Sequence, residues 1–260
     1  MKKQQPNKAM FTTVKYRHIN ALPIPLQISG LLMWYKADSL GLNDGDSIAT
    51  WADSGTRGAN ATQTIAGSKP IYKTNIINGK PVVRFDGTDD YLNITSASFT
   101  GSTIFVVGNP SGSASSISWP PIVMKSGSLA DYQGNGMLYG VATDLSVGVI
   151  ECFWNGGEYT NPPATSLTSP TLVTIYNEAT GSNTNQSVRK NGDSLINLSN
   201  VSIAPSLNPT AGAIGARMQP NVGAPYLKGD IAELIVYGGY VGDTDRNRIE
   251  AYLNGKYNLY

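Results

Sequence analysis

Lys80-Pro81-Val82-Val83-Arg84-Phe85-Asp86-Gly87-Thr88-Asp89-Asp90-Tyr91-Leu92 decides the fold. Pro81–Phe85 is a short β-prone run, and the Asp- and Gly-rich stretch behind it is turn chemistry. Just upstream, Asn78-Gly79 joins Ile76-Ile77 to Val82-Val83. Asn-Gly in a two-residue loop readily supplies the positive φ angles of a tight turn, so a β-hairpin is expected here.

The same grammar recurs in both directions. Short β-prone runs separated by turn residues cover 31–35, 48–51, 103–107, 137–142, 145–149, 171–176, 187–190 and 231–237, and Asn191-Gly192 marks a second hairpin. That spacing predicts an all-β sandwich. In Ile231–Tyr237, strict alternation puts Ala232, Leu234 and Val236 on one face and Ile231, Glu233, Ile235 and Tyr237 on the other, which leaves Glu233 half-buried and in need of a partner. One helix is expected, near the end, where Ile249, Tyr252 and Leu253 recur at helical spacing behind a cap at Asp243 or Thr244. Gly255 suits the left-handed position after it.

Composition agrees. The 260 residues include 28 glycines and 15 prolines and are 40% hydrophobic, enough for one large sandwich rich in turns. Charged residues are 14%, against about 25% in ordinary domains. A net charge of +1 with scattered basic residues gives no footprint for nucleic acid or an anionic membrane. No run of about 18 apolar residues could span a bilayer, and Lys2 and Lys3 are not followed by the apolar core of a signal peptide. Residues 1–28 lack periodicity, and Pro6, Pro23 and Pro25 interrupt them, so they read as an extended N-terminal arm ahead of a domain at 29–260. The alternating Leu22, Ile24, Leu26 and Ile28 suit a segment that docks along a sheet edge or on a neighbouring subunit.

Four segments resemble one known pattern. Gly30-Leu31-Leu32-Met33-Trp34-Tyr35-Lys36-Ala37-Asp38, Trp51-Ala52-Asp53-Ser54-Gly55, the 80–92 string, and Gly229-Asp230-Ile231-Ala232-Glu233-Leu234-Ile235-Val236-Tyr237 with the helix through Tyr257 are similar to bacterial and bacteriophage laminin-G-like domains of the concanavalin A-like superfamily. The resemblance spans roughly 29–260, weakest at 108–170. It implies two antiparallel sheets face to face in jelly-roll order.

Hydrolases of that superfamily carry Glu-x-Asp-x-x-Glu on one strand, since retaining hydrolysis needs two carboxylates about 5–5.5 Å apart. Here the five glutamates (151, 158, 178, 233 and 250) form no such string, so no catalytic residues are expected. His18 has no second histidine or cysteine near it, and the single Cys152, beside Phe153 and Trp154, reads as an apolar filler. No cofactor is required. Asp86, Asp89 and Asp90 could offer oxygens to calcium, with Asp53 or Asp230 as further ligands, or could simply bond turn amides. For glycan contact, which needs aromatic faces ringed by amides and carboxylates, the candidates are Trp119, Trp154, Asn155, Glu158 and Tyr159, while Trp34 and Trp51 read as core.

Two functions stay open. The resemblance, with a stand-alone module lacking a signal peptide, suggests a non-catalytic virion structural protein of a bacteriophage. This would be a capsid decoration or fibre-like surface component, held to other virion proteins by the arm, self-associating, and touching host polysaccharide or mucin glycans. The alternative is an exported, extracellular carbohydrate-binding or adhesion module. A hydrolase of unrecognised type has least support.

Overall fold

A computed structural model describes residues 22–94, 99–100, 102–110, 122–125, 134–141, 148–154, 157–160, 169–180, 183–201, 206–207, 211–216 and 226–260. The strands are β1 (Leu31–Lys36), β2 (Thr50–Trp51), β3 (Ala61–Thr62), β4 (Ile71–Ile77), β5 (Lys80–Asp86), β6 (Leu92–Ile94), β7 (Phe99–Thr100), β8 (Ser102–Pro110) and β9 (Ile122–Lys125). They continue with β10 (Gly134–Val141), β11 (Gly148–Trp154), β12 (Gly157–Thr160), β13 (Thr171–Thr180), β14 (Asn183–Lys190), β15 (Asp193–Val201), β16 (Ser206–Leu207), β17 (Ala211–Ile214) and β18 (Lys228–Tyr237). Helix α1 (Asp243–Tyr257) closes the chain.

One sheet runs β15-β14-β13-β8-β18-β5-β4, with β1 also on β18; the other runs β12-β11-β10-β9-β17-β6-β3-β2. All pairings are antiparallel, and the chain is an all-β sandwich. Both Asn-Gly hairpins form as expected: Asn78 and Gly79 have φ of 46° and 80°, Asn191 and Gly192 of 51° and 83°.

Between the sheets lie Met33, Tyr35, Trp51, Val83, Phe85, Ile104, Val106, Ile231, Leu234 and Val236. A second apolar layer, with Phe105, Val107, Leu172, Ala232, Ile235 and Tyr237, covers the outer face of the first sheet, where Ile249, Leu253 and Tyr257 of α1 pack on it. Burying each such side chain contributes roughly 1.5–3 kcal/mol. A sheet covered on both faces explains the unbroken apolar runs in β8 and β18.

The expected alternation in β18 fails at one point. A register irregularity between Ile231 and Glu233 lets Ala232 and Glu233 follow one another on the outer side, so Ile231 turns inward and Ala232 outward, the reverse of the alternating pattern. The irregularity drives Glu233 under α1, fully buried. Its carboxylate accepts from Trp34 Nε1 (2.6 Å), Tyr252 Oη (3.0 Å), Tyr257 Oη (2.9 Å) and Lys256 Nζ (2.7 Å), and Lys256 also reaches Asp38 at 2.9 Å. Burial, with Glu233 alongside, pushes the Tyr252 and Tyr257 hydroxyls well above the usual phenol range.

Helix ends also differ from expectation. Gly242 occupies the N-cap without a side-chain bond, so neither Asp243 nor Thr244 caps. Gly255 lies inside the helix, and Asn258 takes the left-handed position with φ 49°. α1 runs one turn further because Tyr257 is anchored beneath it.

The segment 22–28 is not extended throughout: Ile24–Gln27 forms a 3-10 turn. Pro23 and Pro25 fix φ values compatible with such a turn. Ile28 and Pro25 are buried, Ile24 and Leu26 pack on the outer apolar layer, and Leu22 is exposed. Tyr237 donates to the Pro25 carbonyl at 2.9 Å, and Arg248 to Gln27 Oε1 at 2.6 Å. The segment therefore docks on its own sandwich.

Candidate functional site

Where α1 ends its cover, the outer face of the first sheet becomes polar. Asn109 on β8, Asp230 on β18, Arg84 on β5 and Ile71 on β4 stand side by side in register, and Lys228 lies opposite Asp86 two residues on. Alternate residues of a strand share a face, so this row continues the face that carries Val82 and Val107 under the helix. Arg84 binds Asp230 through Nε (2.7 Å) and Nη2 (2.8 Å), a two-point pair in which Asp230 is buried. Ser47 extends the row by an antiparallel bridge to Ile71, and the 3-10 turn Ala66–Ser68 with Lys69 borders it; together they line a cleft of about 720 Å3 with Ile71 and Ile76 as apolar wall.

The cleft's polar groups divide sharply by commitment. The Asp86 carboxylate accepts the Thr88 (2.7 Å) and Asp89 (3.3 Å) amides, Asp90 accepts the Asp86 amide (2.9 Å), and Asp230 is held by Arg84. In contrast, Asn109 Oδ1 is buried without a hydrogen-bond partner. Among the described residues, Lys69 and Lys228 also have neither hydrogen-bond nor ion-pair partners.

The structure brings Asp86, Asp89 and Asp90 together, with one oxygen of each within 4.8 Å of the others. Gly87 makes this turn possible: φ is +82°, and a Cβ there would lie 2.7 Å from Lys228 Cβ. Asp89 additionally accepts from Ser68 Oγ at 3.1 Å. Burial, reinforced by Asp86 and Asp89, raises the Asp90 carboxyl to about 6. Turn amides thus already use one oxygen each of Asp86 and Asp90, and the Ser68 hydroxyl one of Asp89. Neither suggested extra ligand joins them. Asp230 pairs with Arg84, and Asp53 accepts the amides of Trp34 (2.9 Å), Gly55 (2.8 Å) and Ala59 (3.1 Å).

Trp119 and Asn155 lie outside the described residues, as does His18. Trp154, Glu158 and Tyr159 belong to the β11–β12 hairpin, Trp154 opposite Gly157 and Glu158 opposite Phe153, and their side chains, like that of Cys152, are outside the description. Trp34 and Trp51 are core, as expected. Sequence reasoning missed Asn109, Lys69, Lys228 and Ser47, because single polar residues far apart in the chain carry no local signal until the fold brings them together.

No protein-family model and no curated protein matches the chain. Its fold is similar to that of solved β-sandwiches. An arabinofuranosidase complexed with arabinofuranosyl-α-1,2-xylobiose aligns with TM-score 0.59 and 11% identity over 81% of this chain and 51% of its own. Trypanosoma rangeli sialidase in complex with the inhibitor DANA gives 0.56 and 11% over 86% and 33%. The CBM40 module of the Ruminococcus gnavus IT-sialidase, bound to α2,3-sialyllactose, gives 0.50 and 13% over 65% and 95%. The chain thus spans about half the length of the arabinofuranosidase, a third of the sialidase, and nearly all of the module.

Proposed function

We propose that the chain is a glycan-binding β-sandwich module without catalytic activity of its own. The observation that carries this is the cleft on the outer face of the first sheet. It combines an apolar wall with amide, ammonium and carboxylate groups, as suits sugar rings whose apolar patches are bordered by hydroxyls. Likeness to a sandwich solved with sialyllactose along nearly its whole length supports a binding module over the corresponding portion of a larger enzyme. The carboxylates gathered in one place are engaged locally, Asp86 and Asp90 by turn amides and Asp89 by the Ser68 hydroxyl, which argues against a hydrolytic pair.

Display on a bacteriophage virion is the setting we favour, supported by the resemblance of the 30–38, 51–55, 80–92 and 229–257 segments. In that setting many copies would multiply a weak sugar contact. A glycan array probed with purified protein tests the reading, with reducing-end release measured on any polysaccharide it retains. Binding without release is expected. Release of new reducing ends, or no retention of any glycan, would overturn it. Mass spectrometry of purified particles tests the virion setting.

A further inference from the structure

We infer that the cleft recognises a sugar bearing a carboxylate, such as a hexuronic acid: Lys69 and Lys228 take the carboxylate, while Asn109 takes a ring hydroxyl. This rests on the reading of the chain as a glycan-binding module and narrows it to one ligand class at one place.

The argument is one of uncommitted groups. Every carboxylate lining the cleft already has a partner, Asp86 and Asp90 in the turn and Asp230 at Arg84. Among the described residues, the lining side chains that remain without a partner include two ammonium groups, the Ser47 hydroxyl and one buried amide oxygen. Ammoniums facing a cleft favour an anion. A buried amide favours a hydroxyl, which both donates and accepts and so satisfies it in either orientation. One small ligand supplying both is a sugar acid. A dianionic phosphate would meet Asp86, Asp90 and Asp230 in the same lining, and like charges at such range repel. A carboxylate carries about half that charge and so meets less of this repulsion while still drawing on both lysines. The volume falls within the range of small-ligand sites.

Gly67 provides a test that spares the polar lining. A Cβ there meets nothing within 4 Å, and its φ is outside the left-handed region, so Gly67→Phe adds a bulky ring to the turn that lines the cleft without a clash at Cβ. The full-length chain would be titrated with galacturonate, galactose, galactose 6-phosphate and acetate, followed by calorimetry and by amide chemical shifts. Thermal melts of each variant would confirm folding. Galacturonate should bind at least ten-fold more tightly than galactose or acetate and shift the amides around Asn109, Lys69 and Lys228. Gly67→Phe should abolish this, and Lys69→Ala with Lys228→Ala should weaken it at least ten-fold. Equal affinity for galactose, preference for the phosphate, or galacturonate binding unchanged in both folded variants overturns the inference. Array glycans still bound by Gly67→Phe would do the same and leave the glycan-binding reading standing. Failure to bind any glycan at all overturns both.

Discussion

The indole N–H of Trp34 donates to the Glu233 carboxylate at 2.6 Å, linking residues 199 apart in sequence across the β1–β18 pair. With Tyr252, Tyr257 and Lys256 contributing from α1, this one carboxylate ties the first strand, the last strand and the helix together.

Glu233→Ala should therefore cost about 3–5 kcal/mol, the range for removing one partner of a buried charged pair, measured by denaturant unfolding. Trp34→Phe removes one donor and should cost less, roughly 1–3 kcal/mol plus lost packing. Equal, small effects would show that α1 is held by apolar contacts alone.

Asp90 gives the molecule a pH dependence whose sign is set by its raised carboxyl, about 6 when folded against the ordinary 3.8 of an aspartate. Its contribution to stability is fully present below about pH 4 and is lost as pH rises through about 6, at most about 3 kcal/mol. Asp90→Asn, which keeps an acceptor for the Asp86 amide, should melt higher than the parent at pH 8 and equally at pH 4. The same melts in millimolar calcium separate the two roles of the turn. A bound cation would favour the ionised carboxylates and erase the pH step, whereas an ordinary turn leaves the step in place.

Asp53 holds three backbone amides and fixes the loop behind Trp51. Asp53→Ala should cost about 1–3 kcal/mol through orphaned, partly buried N–H groups, and Asp53→Asn less, because one oxygen remains. Hydrogen exchange should show the loss concentrated at Trp34, Gly55 and Ala59.

The sandwich and both hairpins were legible because their determinants are local: Asn-Gly turns, short apolar runs, and a helix-spaced triplet. What could not be read depends on contacts distant in sequence. The irregularity at Ile231 and Glu233 is imposed by α1, which demands a carboxylate under its tyrosines, and alternation within β18 gives no hint of it. Asn258 rather than Gly255 ends the helix because Tyr257 must stay buried. The 3-10 turn at Ile24–Gln27 follows from packing on Tyr237 and α1, whereas its prolines suggested only an interruption. The acidic turn was visible as a string, but the cleft beside it was not, since Ile71, Arg84, Asn109 and Asp230 meet only after four strands align.

β18 sits between β8 on one side and, on the other, β5 along its first half and β1 along its second. Strands made early, such as β1 and β5, therefore wait for partners 199 and 146 residues further along before their hydrogen-bonding edges are covered. Pairings of such long sequence separation are slow, and edges left open meanwhile invite association between nascent chains. Synthesis speed through β18, and chaperone access before it emerges, should accordingly influence the yield of soluble protein.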